Sequence, residues 1–266
     1  MPTIPCFHVD AFTQQPFAGN PAAVCLLTQP ASARWMQRVA GELNLSETAF
    51  VAPTQRGFAL RWFTPMTEVA LCGHATLATA HVLWSEGIAP RTGGLSFQTK
   101  SGVLTAALQD DRIELDFPAR KSRIYAAPAG LVRALGVRPR AVARAGEDLL
   151  VELANEGAVR ELRPDMQKLG LLKRTRGVIV TAAAAGRKHD FVSRFFAPAV
   201  GVPEDPVTGS AHCGLAPWWG KRLGKTRMIG YQASARGGEV EVELAGDRVL
   251  LRGQAVTMIR GELIGA

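Results

Sequence analysis

The sequence predicts an α+β fold made of two similar halves, in each of which β-strands surround one apolar helix. Three observations carry this prediction. Short elements recur in order along the chain at a spacing of about 130 to 136 residues. Each copy holds a helix-sized segment that is apolar almost all round, and such a helix has to be enclosed by other elements. Segments such as DRIELDF (111–117) alternate apolar and polar residues, which is typical of half-buried antiparallel strands.

The recurring elements keep their order while their offset grows along the chain. The matched pairs are Met36–Gln37 with Met166–Gln167 (130 apart), ALRWFTP (59–65) with VSRFFAP (192–198) (133 apart), and CGHA (72–75) with TGSA (208–211) and DDRIELDF (110–117) with GDRVLLRG (246–253) (both 136 apart). Offsets that grow in order indicate two copies separated by small loop insertions. We expect the boundary in RKSRIYAAPAG (120–130), which gives halves of residues 1–120 and 121–266.

Each copy has the same predicted order of elements. A helix (32–43 and 164–172) precedes a strand (48–52 and 177–182), and a second strand ends at the Arg-aromatic-Phe-x-Pro element. The apolar helix follows, as ATLATAHVLW (75–84) and AHCGLAPWWGKRL (211–223), and strands such as EVEVEL (239–244) complete the copy. Pro217 is expected to kink or restart the second apolar helix, because proline removes a backbone donor.

Length and composition limit the class of protein. The 266 residues are 47% hydrophobic and 20% charged, so the chain can bury a full core and is not a disordered chain. The start, MPTIPCFHVDAF, lacks the pattern of a signal peptide, and no window approaches the roughly 20 apolar residues of a membrane span. We therefore expect a soluble cytoplasmic protein with no membrane partner.

The net charge raises the possibility of a nucleic-acid-binding protein, and the cysteines raise that of a disulfide-linked or zinc-binding protein. A net charge of +8 makes nucleic-acid binding an alternative, but the basic residues are spread out, and the densest cluster, KRTR (173–176), lacks interleaved aromatics. A solvated basic face is the preferred interpretation, so no nucleic-acid partner is expected. Four cysteines without a CxxC pair indicate neither a disulfide framework nor a zinc site, so no metal is expected.

The two apolar helices both begin at a glycine, Gly73 in CGHA and Gly209 in TGSA. The first turn of a helix presents unpaired N–H groups, which bind carboxylate or phosphate. If the halves face each other about a pseudo-two-fold axis, both helix starts point into one cleft that holds a small anionic substrate. The alternative is that these glycines only allow tight packing.

The two copies differ in the residues beside those glycines. By the offsets, Cys72 corresponds to Thr208, His74 to Ser210, and Glu47 in SETAFV (46–51) to Gly177. One copy therefore offers a carboxylate, a thiol and an imidazole, while the other offers Asp205 from EDPVTGSAH (204–212) together with hydroxyls. A proton exchange between two matched thiols is excluded.

Proton transfer at carbon requires a shielded base beside an anchored substrate. Glu47 precedes an apolar strand and is expected to be partly buried, whereas its alternative role is a helix-cap or surface glutamate. We expect the helix dipole to lower the proton affinity of His74, which leaves a neutral imidazole. Asp205 precedes Pro206, so a turn or cap role stays open for it. Cys72 could equally be a small buried residue.

Four segments together resemble the PhzF-like phenazine-biosynthesis isomerases of the diaminopimelate-epimerase-like superfamily. They are HVDAFTQQPFAGNPAAV (8–24), LNLSETAFV (43–51), RWFTPMTEVALCGHATLATAH (61–81) and RFFAPAVGVPEDPVTGSAH (194–212). The resemblance implies two similar domains, each a β-sheet curled around a central hydrophobic helix, with the active site in the cleft between them. It also implies a homodimer and no cofactor or metal.

The resemblance further implies roles for individual residues. Glu47 matches the family's catalytic acid/base, and His74, Asp205 and Ser210 match other residues of its active centre. Gly73 and Gly209 match the glycines at the anion-binding helix starts, and Asn20 in GNPAAV matches a residue that lines the cleft.

The leading hypothesis is therefore an isomerase that moves a proton between carbons of a small carboxylate-bearing metabolite by general acid/base catalysis, without a cofactor. A non-catalytic small-anion binder of the same fold and a nucleic-acid binder are the alternatives. The substrate is not predicted.

Overall fold

The computed structural model describes residues 3–264, and the chain divides into two compact units. The first unit contains the residues up to Asp116 together with those from Arg252 onward, and the second contains Phe117–Leu251. The α+β class is confirmed, since each unit combines a β-sheet with a few helices. The predicted halves, 1–120 and 121–266, stay a prediction about the ancestry of the chain.

The first unit is built from two helices and the strands that surround them. Its helices are α1 (Ala33–Leu43) and α2 (Gly73–Ser85), and its strands are β1 (Ile4–Ala11), β2 (Asn20–Leu26), β3 (Glu47–Thr54), β4 (Gly57–Phe63), β5 (Glu68–Val69), β6 (Leu95–Thr99), β7 (Gly102–Gln109), β8 (Arg112–Pro118) and β18 (Ala255–Leu263). Strand β1 pairs antiparallel with β2 and β18, and β2 pairs parallel with β3. Strand β4 pairs antiparallel with β3 and β5 and parallel with β6. The sheet continues with β7, which pairs antiparallel with both β6 and β8.

The second unit repeats this order with three short helices and one longer helix. Its helices are α3 (Leu131–Leu135), α4 (Glu156–Arg160), α5 (Met166–Gly170) and α6 (Gly209–Leu223), with a 3₁₀ turn at Pro198–Val200, and its strands are β9 (Arg123–Ile124), β10 (Ala141–Ala145), β11 (Asp148–Glu152), β12 (Val178–Ala183), β13 (Phe191–Ala197), β14 (Val202–Asp205), β15 (Arg227–Gln232), β16 (Gly238–Ala245) and β17 (Arg248–Gly253). Strand β11 pairs parallel with β12, and β13 pairs parallel with β15.

The pairings of the two units correspond step by step. In each unit the two parallel pairs are joined by helical crossovers, as parallel strands require. Helices α1 and α2 join β2 to β3 and β4 to β6, while α4–α5 and α6 join β11 to β12 and β13 to β15. This repeated order is what an internal duplication would produce, and the duplication itself stays a proposal.

The core of the first unit encloses α2. This helix is buried along most of its length, and it lies against β1, β2, β3 and β18 of the same unit. Its two threonines are accommodated because Thr76 and Thr79 donate their hydroxyls to carbonyls one turn earlier, those of Cys72 and Ala75. The expectation of an apolar helix that is enclosed by strands is confirmed for this unit.

The second apolar helix, α6, does not restart at Pro217 but runs unbroken over Gly209–Leu223. The expected restart was wrong because the backbone bond that proline removes has been replaced. Pro217 has no N–H to donate to the carbonyl of Cys213, and that carbonyl accepts a hydrogen bond from the backbone N–H of Arg120 at 3.0 Å. The predicted helix over 164–172 also differs, because Asp165 caps a short α5 that begins only at Met166.

Two smaller clusters cover the outer faces of the sheets. In the first unit Met36 and Val39 of α1 pack with Phe50 and Phe63 of β3 and β4. In the second unit the apolar sides of α3, α4 and α5 pack on strands β11 to β13. None of the described helices combines the length and the apolar character that a membrane crossing requires.

Candidate active site

The starts of α2 and α6 differ from those of α1, α4 and α5. In α1, α4 and α5 the side chains of Ser32, Asn155 and Asp165 accept a hydrogen bond from the first turn. The residues that precede α2 and α6 are Cys72 and Thr208, and neither side chain caps its helix. The first N–H groups of both helices therefore have no side-chain cap, which is the condition in which a helix start binds an anion.

Glu47 is brought to the start of α2 by the sheet of the first unit. It is the first residue of β3 and pairs with Ala22 of β2. Its Oε2 lies 3.2 Å from Nε2 of His74, the second residue of α2, and the two side chains are 18% and 5% exposed. The angle at Nε2 does not meet hydrogen-bond geometry, so this buried nitrogen has a charged neighbour without a formed hydrogen bond. Glu47 is partly buried, as expected.

The opposite nitrogen of the imidazole faces Asn20 and Cys72. Nδ1 of His74 lies 3.1 Å from the amide nitrogen of Asn20 and 3.6 Å from the thiol of Cys72. Asn20 is fully buried at the start of β2. Its amide can donate to Nδ1 of a neutral ring, or turn its carbonyl oxygen toward the N–H of a protonated one. The imidazole is thus held in place in either state.

The expected neutral imidazole was wrong. Burial opposes protonation of His74, but the charges of Cys72 and Glu47 outweigh burial and raise its pKa well above the ordinary value. Burial also raises the pKa of the Cys72 thiol, and the charge of Glu47 raises it further. The raised pKa of His74 therefore depends on both acidic neighbours, of which Glu47 lies against Nε2 and Cys72 against Nδ1.

Glu47, Cys72 and His74 are also the one group of potential metal ligands found within residues 3–264, with donor atoms within 4.8 Å of one another. Their arrangement does not suit a single ion. Glu47 approaches Nε2 of the imidazole, whereas Cys72 approaches Nδ1. One metal ion contacts only one of these nitrogens, so binding through all three side chains would require the ring to leave its present position.

In the second unit, Asp205 is fixed beside the start of α6. Its Oδ2 accepts the hydroxyl of Thr208 at 2.5 Å. The amide of Gln232 donates to the Thr208 hydroxyl oxygen and to the Asp205 carbonyl, and its oxygen accepts the Thr208 backbone N–H. The hydroxyl of Thr208 is therefore engaged with Asp205, which explains why it does not cap the helix.

Ser210 lies in the first turn of α6 and contacts an arginine. Its Oγ is 3.2 Å from Nη2 of Arg176, and the same guanidinium contacts both carboxylate oxygens of Asp148. Asp148 is fully buried and also contacts Arg120. Because the Ser210 oxygen accepts from Arg176, its own hydrogen is free to point toward a ligand.

The structure thus groups the predicted residues by unit. Asn20, Glu47, Gly73 and His74 meet at the start of α2 in the first unit, together with Cys72. Asp205, Gly209 and Ser210 meet at the start of α6 in the second.

Three further residues were not predicted: Asp148, Arg176 and Gln232. Arg176 belongs to the KRTR cluster, for which a solvated face was expected, and its side chain is partly buried against Asp148. The density of positive charge in that cluster was the available signal.

Comparisons with known proteins show to which family the chain belongs. The family model of phenazine biosynthesis-like proteins, PhzC-PhzF, matches residues 9–261. A protein of Halalkalibacterium halodurans named an uncharacterized isomerase is 51% identical over 267 residues, which cover 99% of this chain and all of the relative. A second uncharacterized isomerase, of Pseudomonas aeruginosa, is 50% identical over 97% of both chains.

Solved structures agree with these relatives. A PhzF-family protein of Enterococcus faecalis superposes with a TM-score of 0.94 at 41% identity, covering 98% of this chain and 99% of the other. A hydroxyproline epimerase of Agrobacterium vitis shares the fold, with a TM-score of 0.64 at 11% identity over 98% and 92% of the two chains. The predicted fold class is confirmed, and the chain is an enzyme of the isomerase class. It belongs to the phenazine biosynthesis-like (PhzC-PhzF) family.

Proposed function

We propose that the chain isomerises a small carboxylate-bearing metabolite by moving a proton between two of its carbons, without a cofactor. The observation that carries this proposal is the 3.2 Å contact between Glu47 and His74 at the uncapped start of α2. It supplies a carboxylate that accepts a proton, a shielded imidazole that carries one, and backbone N–H groups that favour negative charge.

The proposed reaction breaks one C–H bond and forms another, with no change in oxidation state. Glu47 accepts the proton from a carbon whose bonding electrons pass into the adjacent conjugated system of the substrate. The start of α2 stabilises the negative charge that develops. The proton then returns to a different carbon, while the His74 imidazole lies 3.2 Å from Glu47 and can balance its charge.

Glu47 is the residue on which the proposal depends, because it is the one carboxyl group among Glu47, Cys72 and His74 and lies against the imidazole. Burial raises the pKa of the Cys72 thiol, and the charge of Glu47 raises it further. Asp205, Gly209 and Ser210 are proposed to serve the same reaction, Asp205 as a second acid/base group and the start of α6 as a binding site for substrate carboxylate. The homodimer implied by the family resemblance stays a prediction.

The proposal is tested by a metabolite screen in D₂O, which searches for a compound that gains deuterium at carbon in the presence of the enzyme. With that compound, Glu47→Gln is expected to lower kcat/KM at least about 100-fold, the lower end of a general-base contribution. Glu42→Gln, at an exposed position on α1, is the matched control and is expected to keep full activity. A loss below about tenfold in Glu47→Gln would remove Glu47 as the base. Ligand binding without any deuterium exchange would favour the alternative of a non-catalytic anion binder.

A further inference from the structure

A cavity of about 630 Å³ lies in the second unit, beside the start of α6 but outside the predicted site residues. It is lined by Arg144, Gly146, Glu147, Arg174, Arg176 and Val200. Arg176, one of these lining residues, also donates from its guanidinium to the Ser210 hydroxyl. The cavity is therefore continuous with the network that positions the first turn of α6.

Two of the three arginines of the cavity are held in place by the surrounding chain. Arg144 stacks over the ring of Tyr125 at 4.8 Å and donates to the backbone carbonyl of Arg174 at 2.7 Å. Arg174 has a φ of 55°, a left-handed conformation that costs a residue with a side chain roughly 1 kcal/mol or more. Arg176 lies over the ring of Phe195 at 5.4 Å. Stacking and hydrogen bonds thus hold the side chains of Arg144 and Arg176, while Arg174 is exposed.

The charges in the cavity do not balance within the part of the chain that the structure describes. Asp148 is contacted by Arg120 and Arg176, so its charge is compensated. Arg144 donates to a neutral carbonyl, and no ion-pair partner of Arg174 is found among residues 3–264. Glu147 is the acidic residue in the lining and offsets one positive charge at most. An anion is the ligand that such a cavity favours, since guanidinium groups bind carboxylate and phosphate through paired hydrogen bonds.

We infer that this cavity is a subsite for a second anionic group, a carboxylate or a phosphate, on the metabolite that the enzyme binds. The inference rests on the proposed function and deepens it, because it restricts the substrate to compounds with two anionic groups. Arg174 and Arg144 bind the group, and Arg176 links its position to Ser210.

The test is an NMR titration of the ¹⁵N-labelled full chain with inorganic phosphate and, separately, with glutarate at constant ionic strength. The arginine Nε–H signals report where each probe binds. Both probes are expected to saturate, and Arg174→Gln is expected to weaken them at least about tenfold, the loss typical of a charge-assisted contact. Glu147→Gln is expected to strengthen binding about threefold because it removes a repelling charge, and Arg138→Gln, an exposed control outside the cavity, is expected to leave it unchanged.

The outcomes separate this inference from the proposed function. Failure of both probes to saturate, or equal weakening in Arg138→Gln and Arg174→Gln, would overturn the subsite. Glu47→Gln is expected to leave probe affinity unchanged, so a lost deuterium exchange in that variant and a lost probe affinity in Arg174→Gln are independent results. Tighter binding of phosphate than of glutarate would identify a phosphate ester, and the reverse a dicarboxylate.

Discussion

Glu47 and His74 form an ion pair in which Oε2 and Nε2 are 3.2 Å apart, although 26 residues separate them in the chain. The pair combines a partly exposed carboxylate with a nearly buried ring, whose other nitrogen is held by Asn20. The nearly buried ring is therefore held between a carboxylate on one side and an amide on the other.

The first prediction concerns the titration of His74. Glu47→Gln is expected to lower the pKa of His74, because one of the two charges that offset its burial is removed. The pKa is measured from the ¹⁵N shifts of the imidazole between pH 5 and about pH 9. Glu42→Gln serves as the control and should leave the titration curve in place. An unchanged curve in Glu47→Gln would contradict the assigned cause.

A second prediction follows for stability against pH. His74 binds its proton more tightly in the folded chain than in the unfolded one, so the unfolded state releases it first as pH rises. The contribution of the pair is fully present below the unfolded pKa of roughly 6.5 and disappears as pH rises through the higher folded pKa. Urea unfolding at several pH values should show this alkaline loss in the wild type and a smaller loss in Glu47→Gln.

A third prediction concerns His212, which behaves in the opposite way. Burial lowers its pKa to about 4, and its Nδ1 donates to the Thr208 carbonyl at 2.9 Å. The unfolded chain takes up this proton near pH 6.5, so stability falls as pH drops from there toward 4, by up to about 3 kcal/mol. His212→Asn can keep the donor without the titration, and its unfolding free energy should vary less over this range. An equal acid loss in both proteins would show that other groups cause it.

A fourth prediction addresses the hydroxyl of Thr208. Thr208→Val removes the donor to Asp205 and one acceptor of the Gln232 amide, so two of the hydrogen bonds that position Asp205 are lost. We expect kcat to fall about tenfold or more, and the unfolding free energy to fall by about 1–3 kcal/mol. Thr208→Ser keeps the hydroxyl and should restore most of both quantities. If the serine variant is as impaired as the valine variant, the hydroxyl is not what positions Asp205.

A fifth prediction tests the packing beneath Arg176. A Cβ on Gly177 would lie 2.3 Å from the ring of Phe195, on which Arg176 stacks. Gly177→Ala is therefore expected to lower the unfolding free energy by about 1–3 kcal/mol, measured by urea denaturation. Gly186→Ala is the matched control, because its Cβ would meet no atom within 4 Å. Equal stability of the two variants would contradict the tight packing.

The sequence predicted much of the first unit's site because its signals are local. The CGHA element starts an apolar helix and the SETAFV segment starts a strand, so Glu47, His74 and Gly73 could be selected from short motifs and the family resemblance. The raised pKa of His74 could not be predicted, since it depends on the charges of Cys72 and Glu47 around a buried ring, and the parallel register of β2 and β3 carries Glu47 there. A dipole argument alone gave the wrong sign.

The hydrogen-bond network of the second unit was harder to predict from the sequence, because it also depends on strand pairing. Asp148 and Arg176 become neighbours because β11 and β12 pair in parallel, and neither lies in a motif. Gln232, at the end of β15, reaches Thr208 only through the pairing of β15 with β13. Long-range strand pairing, rather than residue type, decides these contacts.

The proline inside α6 has an effect that reaches beyond the helix. Pro217 leaves the Cys213 carbonyl without its helical donor, and the backbone N–H of Arg120 donates to that carbonyl instead. The Arg120 guanidinium contacts Asp148. Asp148 in turn engages Arg176, which touches Ser210, three positions before Cys213. A continuous series of hydrogen bonds thus links the Cys213 carbonyl of α6, through Arg120, Asp148 and Arg176, to Ser210 in the first turn of the same helix. A substitution of any residue in this series is therefore expected to change the position of Ser210. The rigidity of the first turn of α6 and its affinity for a ligand would then change together during evolution.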